Sequence, residues 1–365
     1  MERELHVPAL EKYLAIIIFP FMGIGLLTGT YFPRFAATLP AILPACLFLM
    51  IYPTMLNVRL DELVSAFRDW KKVGAVTLMN FVVSPVLLSL LAWVVLRNHP
   101  ELMMGMIILS IAPCIALVLV WTFLSSANLA LAVTLAGVNS LVQLVAFPIY
   151  LPLLGRIYGL DLALASGGVL AFGPIAQEVL IYLALPFLLA IVTRSYFERK
   201  KGRDWFESVY VPRAGHIAPI GVLITVTTMF SIGGQHVLET PYLLLLAALP
   251  LVVFFPLNWV VGLYLSHRVM KNDYRDSIAI AFSFSGRNLE VSMALSAALF
   301  GAGSLTAMAT VAGPVIGIPA WIIILNLGKK FIYPHLARTQ ASQHQPAEQL
   351  QAAVLKADVE PGDVV

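Results

Sequence analysis

The chain reads as an all-α integral membrane protein of ten transmembrane helices, built as a five-plus-five inverted repeat with broken, crossing spans 4 and 9. Three observations carry the membrane reading. First, 59% of the 365 residues are hydrophobic and 12% are charged, with a mean hydropathy of +0.87. Soluble domains carry charge on about 25% of residues, and a globule of this size cannot hide so much apolar side chain from water. Second, apolar runs of about 20 residues, the length that crosses a bilayer, occur ten times. Third, Lys and Arg gather on one side of those runs. A lipid solvent excludes a cytosolic enzyme, a secreted disulfide scaffold and a nucleic-acid binder. Cys46 and Cys114 both lie in apolar runs and make neither a disulfide framework nor a zinc site.

In order, the runs cover 13–31, 38–56, 73–96, 102–124, 128–154, 171–193, 215–233, 241–266, 277–301 and 304–328. Pro, Gly and Asn punctuate the turns between them. The first run is long enough to span and shows no small-residue cleavage site after it, so it is expected to remain as a span. Of the 23 Lys and Arg, 19 fall on one side, including Arg59, Lys72, Arg194, Lys200, Arg268 and Lys329. Three fall on the other (Arg34, Arg97 and Arg156), and Arg287 lies inside span 9. Cytoplasmic loops collect basic residues, so both termini are expected in the cytoplasm and the chain in the plasma membrane. Within 57–72, Leu60, Leu63, Val64 and Phe67 recur at helical spacing opposite Asp61, Glu62, Ser65 and Arg68. That pattern predicts a helix lying on the membrane surface. Residues 336–365 are polar without an apolar period and are expected to be a disordered cytoplasmic tail. Residues 1–335 then form one unit.

A repeat is visible in Asn80-Phe81-Val82-Val83-Ser84 of span 3 and Asn258-Trp259-Val260-Val261-Gly262 of span 8, an offset of 178. The same offset carries Ala112 onto Glu290 and Asn139 onto Gly317. Repeat one covers about 12–156 and repeat two about 170–330. Five helices repeated once must be inverted, because five is odd, and inverted repeats build transporters whose site lies where interrupted helices meet. Pro113 in span 4 and Gly286-Arg287-Asn288 in span 9 are helix disruptors at corresponding places. Proline removes a backbone donor, and broken backbone survives in a membrane only against protein or a wet cavity.

Charges inside a span cost about 2.5–3.5 kcal/mol each on insertion scales and default to function. Arg287 and Glu290 are such a pair, three residues apart. On one helix they would share a face and could neutralise each other, which would make them structural. The functional alternative is a Glu290 carboxylate that gains and loses a proton or holds a cation. Cys114, beside the first break, is a soft ligand suited to a thiophilic solute, whereas Cys46 reads as packing. Asn139, Ser140, Gln143 and Asn288 could line a cavity, while Asn80 and Asn258 read as helix–helix hydrogen bonds. Glu178, near the outer end of span 6, reads as interfacial. No cofactor is expected, and no metal site other than a metalloid held through Cys114.

The chain resembles the arsenite-efflux permeases of the bile acid/arsenite/riboflavin transporter superfamily. The resemblance runs over about 12–330 in MIYPTMLNVRLDELVSAFRDWKK, MNFVVSPVLL, APCIALVLVW, LAGVNSLVQ, EVLIYLALPFLLAIVTR, FSFSGRNLEVSMALSAALFG and GPVIGIP. It implies proton-coupled export of arsenite, sometimes antimonite, with Cys114 and Glu290 essential and Glu290 coupling the proton. It also implies a panel of spans 1, 2, 6 and 7 beside a core of spans 3–5 and 8–10. Two positions depart from the family pattern: Gly317 where an acidic residue is usual, and Arg287 where Asn is usual. The second reading is sodium-coupled import of an organic anion, with Arg287 holding its carboxylate and Asn139, Gln143 and Glu290 around the cation. A channel would need polar lining along several spans, and no hydrolase or metalloprotease grouping lies in the spans, so an enzyme is not expected.

Overall fold

A computed structural model describes residues 9–58, 69–160, 172–333 and 336. Among them every regular element is helical, apart from one isolated bridge between Pro113 and Arg287. The helices in chain order begin with α1 (Ala9–Tyr31), α2 (Leu43–Met55) and α3 (Trp70–Leu96). There follow α4 (Pro100–Ile111), α5 (Leu117–Leu124), α6 (Leu129–Ile157) and α7 (Phe172–Lys201). After α8 (Ile217–Glu239, entered through helical turns from Arg203) come α9 (Tyr242–Val269), α10 (Tyr274–Ser285), α11 (Leu289–Phe300) and α12 (Leu305–Ile332). Among the described residues six stretches are long and apolar enough to cross a bilayer: α3, α6, α7, Arg203–Gly233, α9 and α12. The apolar helices α2, α4 and α11 and the Ile16–Tyr31 part of α1 are shorter.

Capping residues set many of these limits. Pro stands in the first turn of α2 and α4, where a missing N–H costs nothing. Asn128, Asp273, Asn288 and Ser304 each accept a hydrogen bond from the backbone N–H three residues on, opening α6, α10, α11 and α12. Expected spans 4 and 9 each divide into two short helices, α4/α5 and α10/α11, separated at 112–116 and 286–288. The surface helix expected over 57–72 falls largely on 59–68, and the expected tail on 337–365, both outside the described residues.

The succession of long helix, two short helices and long helix occurs twice, as α3–α6 and α9–α12. Corresponding limits lie 172 to 176 residues apart: Trp70 to Tyr242 is 172, Pro100 to Tyr274 is 174, and Leu129 to Leu305 is 176. The offset of 178 taken from the Asn80 and Asn258 pentapeptides is therefore a few residues too long. Membrane spans draw on few residue types, so a short match slips easily in register.

Helix α1 packs along α8, and α8 and α7 both pack on α2. The approach is close: a Cβ on Gly25 would stand 2.6 Å from the Thr227 carbonyl oxygen, the small-residue contact that membrane helices use. Elsewhere α4 packs on α3, α6 and the first turns of α12, and α9 on α3, α10 and α12. The surface inverts that of a soluble globule. Leu245 is 72% exposed and Val94 and Val192 are 63% exposed, while Asn80, Gln143, Asn258 and Arg287 are fully buried. Such a surface suits lipid and is costly in water.

Candidate functional site

The two breaks are paired with each other. Before Pro113, Ala112 turns extended (φ −101°, ψ 90°), the conformation favoured before proline; Gly286 is extended as well (φ −69°, ψ 135°). The strands then run antiparallel. Cys114 N–H donates to the Gly286 carbonyl at 3.1 Å, and Asn288 N–H donates to the Ala112 carbonyl at 2.7 Å. Four backbone groups freed by the breaks thus find partners, as a lipid-surrounded chain requires. Gly286 makes the approach possible, because a Cβ there would stand 2.7 Å from Cys114 Cβ.

Cys114 is buried three residues before α5 begins at Leu117. On the other strand Asn288 caps α11, its Oδ1 accepting the Val291 N–H at 3.1 Å.

Glu290 sits in the first turn of α11, half-buried, and has no ion-pair partner among the described residues. It opens on a cavity shared with Thr54 of α2, Leu117 of α5, Val222 of α8 and Pro314 of α12. Thr54 is a site residue the sequence did not single out. It lies in a uniformly apolar run, and its place at the cavity depends on how α2 packs.

Arg287 departs from expectation. Lying before the cap of α11 and not on the helix, it does not pair with Glu290. Its side chain is fully buried and donates to the Ser110 carbonyl of α4 at 2.9 Å and the Phe284 carbonyl of α10 at 2.7 Å. The Phe254 ring lies 5.7 Å from the guanidinium carbon. Gly317 is explained by its neighbour: a Cβ there would meet the Phe255 ring at 2.9 Å, and that ring packs edge-on against Trp321 at 5.1 Å. Aromatic rings occupy the space an acidic side chain would need.

Asn139, on α6, joins a different cluster. Asn80 donates to Asn139 Oδ1 at 3.1 Å and to Ser283 Oγ of α10 at 3.3 Å. Gln143 is fully buried, and neither amide atom has a partner among the described residues. Among the described residues no hydrogen bond joins Asn139 or Gln143 to Cys114 or Glu290. Ser140 bonds the Ala136 carbonyl within its own helix. Asn258 links Ser84 to the Phe284 carbonyl, the structural task expected of it. Cys46 is buried in α2, and Glu178 is half-buried on α7.

The sequence model of the Sodium Bile acid symporter family matches residues 44–240. The Arsenical-resistance protein Acr3 of Corynebacterium glutamicum is 33% identical over 90% of this chain and 92% of its own length. An uncharacterized transporter of Synechocystis is 30% identical over 88% of each chain. The Arsenical-resistance protein Acr3 of Alkaliphilus metalliredigens is 24% identical over 90% of this chain and 95% of its own. With membrane-length apolar helices, this is a multi-pass membrane protein of a transporter family. The chain belongs to the Sodium Bile acid symporter family and, within it, to the arsenite-efflux permeases.

Proposed function

We propose that this protein exports arsenite, and antimonite by the same chemistry, from the cytoplasm in exchange for protons, and so confers arsenic resistance. The observation that carries the reading is the Cys114 thiol at the paired breaks, bridged to the strand that runs through Asn288 into the first turn of α11, where Glu290 lies. Arsenous acid is small, neutral and thiophilic. At Cys114 one As–OH would exchange for an As–S bond with loss of water, and the reverse step would release the solute. A lone thiol binds reversibly, whereas three would trap the metalloid. Glu290, free of an ion-pair partner and opening on the cavity, would alternate between a proton and the loaded state. No bond of the solute is changed overall, so the protein acts as a carrier and not as an enzyme.

The same proposal takes α4/α5 and α10/α11 as one broken span each, making ten crossings with both termini cytoplasmic. The two-fold symmetry of the breaks supports an inverted repeat. At an offset of 174, Cys114 corresponds to Asn288 and Ala112 to Gly286, so the two bridging hydrogen bonds exchange under the symmetry. Helices α1, α2, α7 and α8 would form the panel that rocks against the rest. Organic-anion import is less well supported, because two nitrogens of Arg287 already hold backbone carbonyls.

The test is flux in everted membrane vesicles. Arsenite should accumulate when an inward-acid proton gradient is imposed, and not with a sodium gradient alone. Sodium-dependent uptake of an organic anion, indifferent to arsenite, would overturn the proposal.

A further inference from the structure

The two carbonyls that Arg287 holds are related to each other. Ser110 and Phe284 are 174 residues apart, the same spacing that relates Ala112 to Gly286 and Cys114 to Asn288 across the bridge. Ser84 and Asn258, which are hydrogen-bonded to each other, are also 174 apart. Contacts between such equivalent residues mark a local two-fold axis, and the guanidinium lies where that axis passes between the breaks. Each carbonyl belongs to the last turn of a half-helix, α4 ending at Ile111 and α10 at Ser285. A helix C-terminus carries roughly half a negative charge, so two of them converge on one point deep in the protein. The Phe254 ring adds a face that attracts cations. Convergent half-helix C-termini are what a membrane protein offers a bound inorganic cation.

We propose that Arg287 is a tethered cation: its guanidinium permanently fills a site that the paired half-helix ends would otherwise offer to a free monovalent cation, and so makes this chain's transport independent of sodium. Arg287 is then a positioning residue, which neutralises the two helix ends and keeps the bridge closed while Cys114 and Glu290 meet the solute. Its charge is contributed by the polypeptide, so no dissolved ion has to enter or leave that point in the cycle. Removing the side chain would leave the Ser110 carbonyl without that donor, the Phe284 carbonyl with Asn258 alone, and a vacancy of guanidinium size. A free cation could then occupy it and hold the protein together.

The proposal rests on the transporter reading only for its flux arm, and the main readout is independent of any solute. Arg287→Ala would be purified in detergent in choline chloride and its melting temperature measured as sodium chloride, or low-millimolar guanidinium chloride, replaces choline. The expected result is a lower melting temperature in choline and a dose-dependent rise with sodium or guanidinium, as for a ligand that binds only the folded state; wild-type protein should show no rise. In vesicles, whatever arsenite flux Arg287→Ala retains should require the added cation. An Arg287→Ala protein that melts identically in all three salts, or a wild-type protein that responds equally, overturns the proposal. Should Arg287→Ala not be recoverable, Arg287→Lys and Arg287→Met replace it, since they match in length and differ in charge. Lys should stay indifferent to added cation and Met should need it or fail to fold; equal behaviour of the two overturns the tethered-cation role. A thermal response without arsenite flux in wild type would instead count against the function proposed above.

Discussion

Cys114 stands in the bridge where the opposite strand has Asn288, and that exchange of a hard amide for a soft thiol is the chemistry on which arsenite binding would rest. Cys114→Ser keeps the size of the side chain and removes the soft ligand. It should therefore leave the protein in the membrane while arsenite efflux falls to background in cells lacking other exporters. Cys46→Ser, in the packed interior of α2, should stay near wild type; equal loss from both would remove the thiol-ligand role. Glu290→Gln should abolish the response of efflux to an imposed proton gradient while arsenite still protects Cys114 from alkylation. A variant that keeps its proton response would place coupling elsewhere. At this scale the sequence made Cys114, Arg287 and Glu290 conspicuous, because a thiol and charges at helix breaks stand out in an apolar chain. It did not reveal Arg287's partners. A spacing of three implies contact only on one helix, and the Asn288 cap puts Arg287 outside it.

Among the elements, the paired breaks are the most sensitive to small changes. Gly286→Ala places a Cβ 2.7 Å from Cys114 Cβ and 2.9 Å from the Phe282 carbonyl oxygen. Overpacking of this kind costs about 1–3 kcal/mol. The variant should melt measurably lower and lose flux, and an unchanged melting temperature would show that the strands can separate without cost. Asn288→Ala removes the α11 cap, at about 1 kcal/mol, and should likewise lower the melting temperature. The limits of α4, α6, α10, α11 and α12 follow local signals, Pro at the first turn or a side-chain cap. The register of the repeat followed no such signal. Only the helix limits and the hydrogen bonds across the break bring out the 174-residue spacing, which relates residues of unlike type such as Cys114 and Asn288.

For the whole molecule, the basic residues predict its orientation in the bilayer. Reporters fused after Lys72 and Arg203 should give cytoplasmic signals, and one placed after Thr240, in the turn before α9, should report outside. A cytoplasmic signal at Thr240 would overturn the ten-crossing arrangement.

Composition and hydropathy alone determined that this chain lives in lipid, that it is helical, and where its helices break, because those properties depend on residue type and spacing along one strand of sequence. The tertiary structure decided what the breaks are for. It paired them into an antiparallel bridge, set Arg287 on Ser110 and Phe284 carbonyls instead of on Glu290, and filled the space at Gly317 with Phe255. It also drew Thr54 of α2 to the cavity at Glu290, joined Asn139 to Asn80, and buried Gln143 without a hydrogen-bond partner among the described residues. Each of these depends on contacts between residues far apart in the chain. Hydropathy cannot register them, because in a bilayer a side chain that faces lipid and one that faces a neighbouring helix are equally apolar.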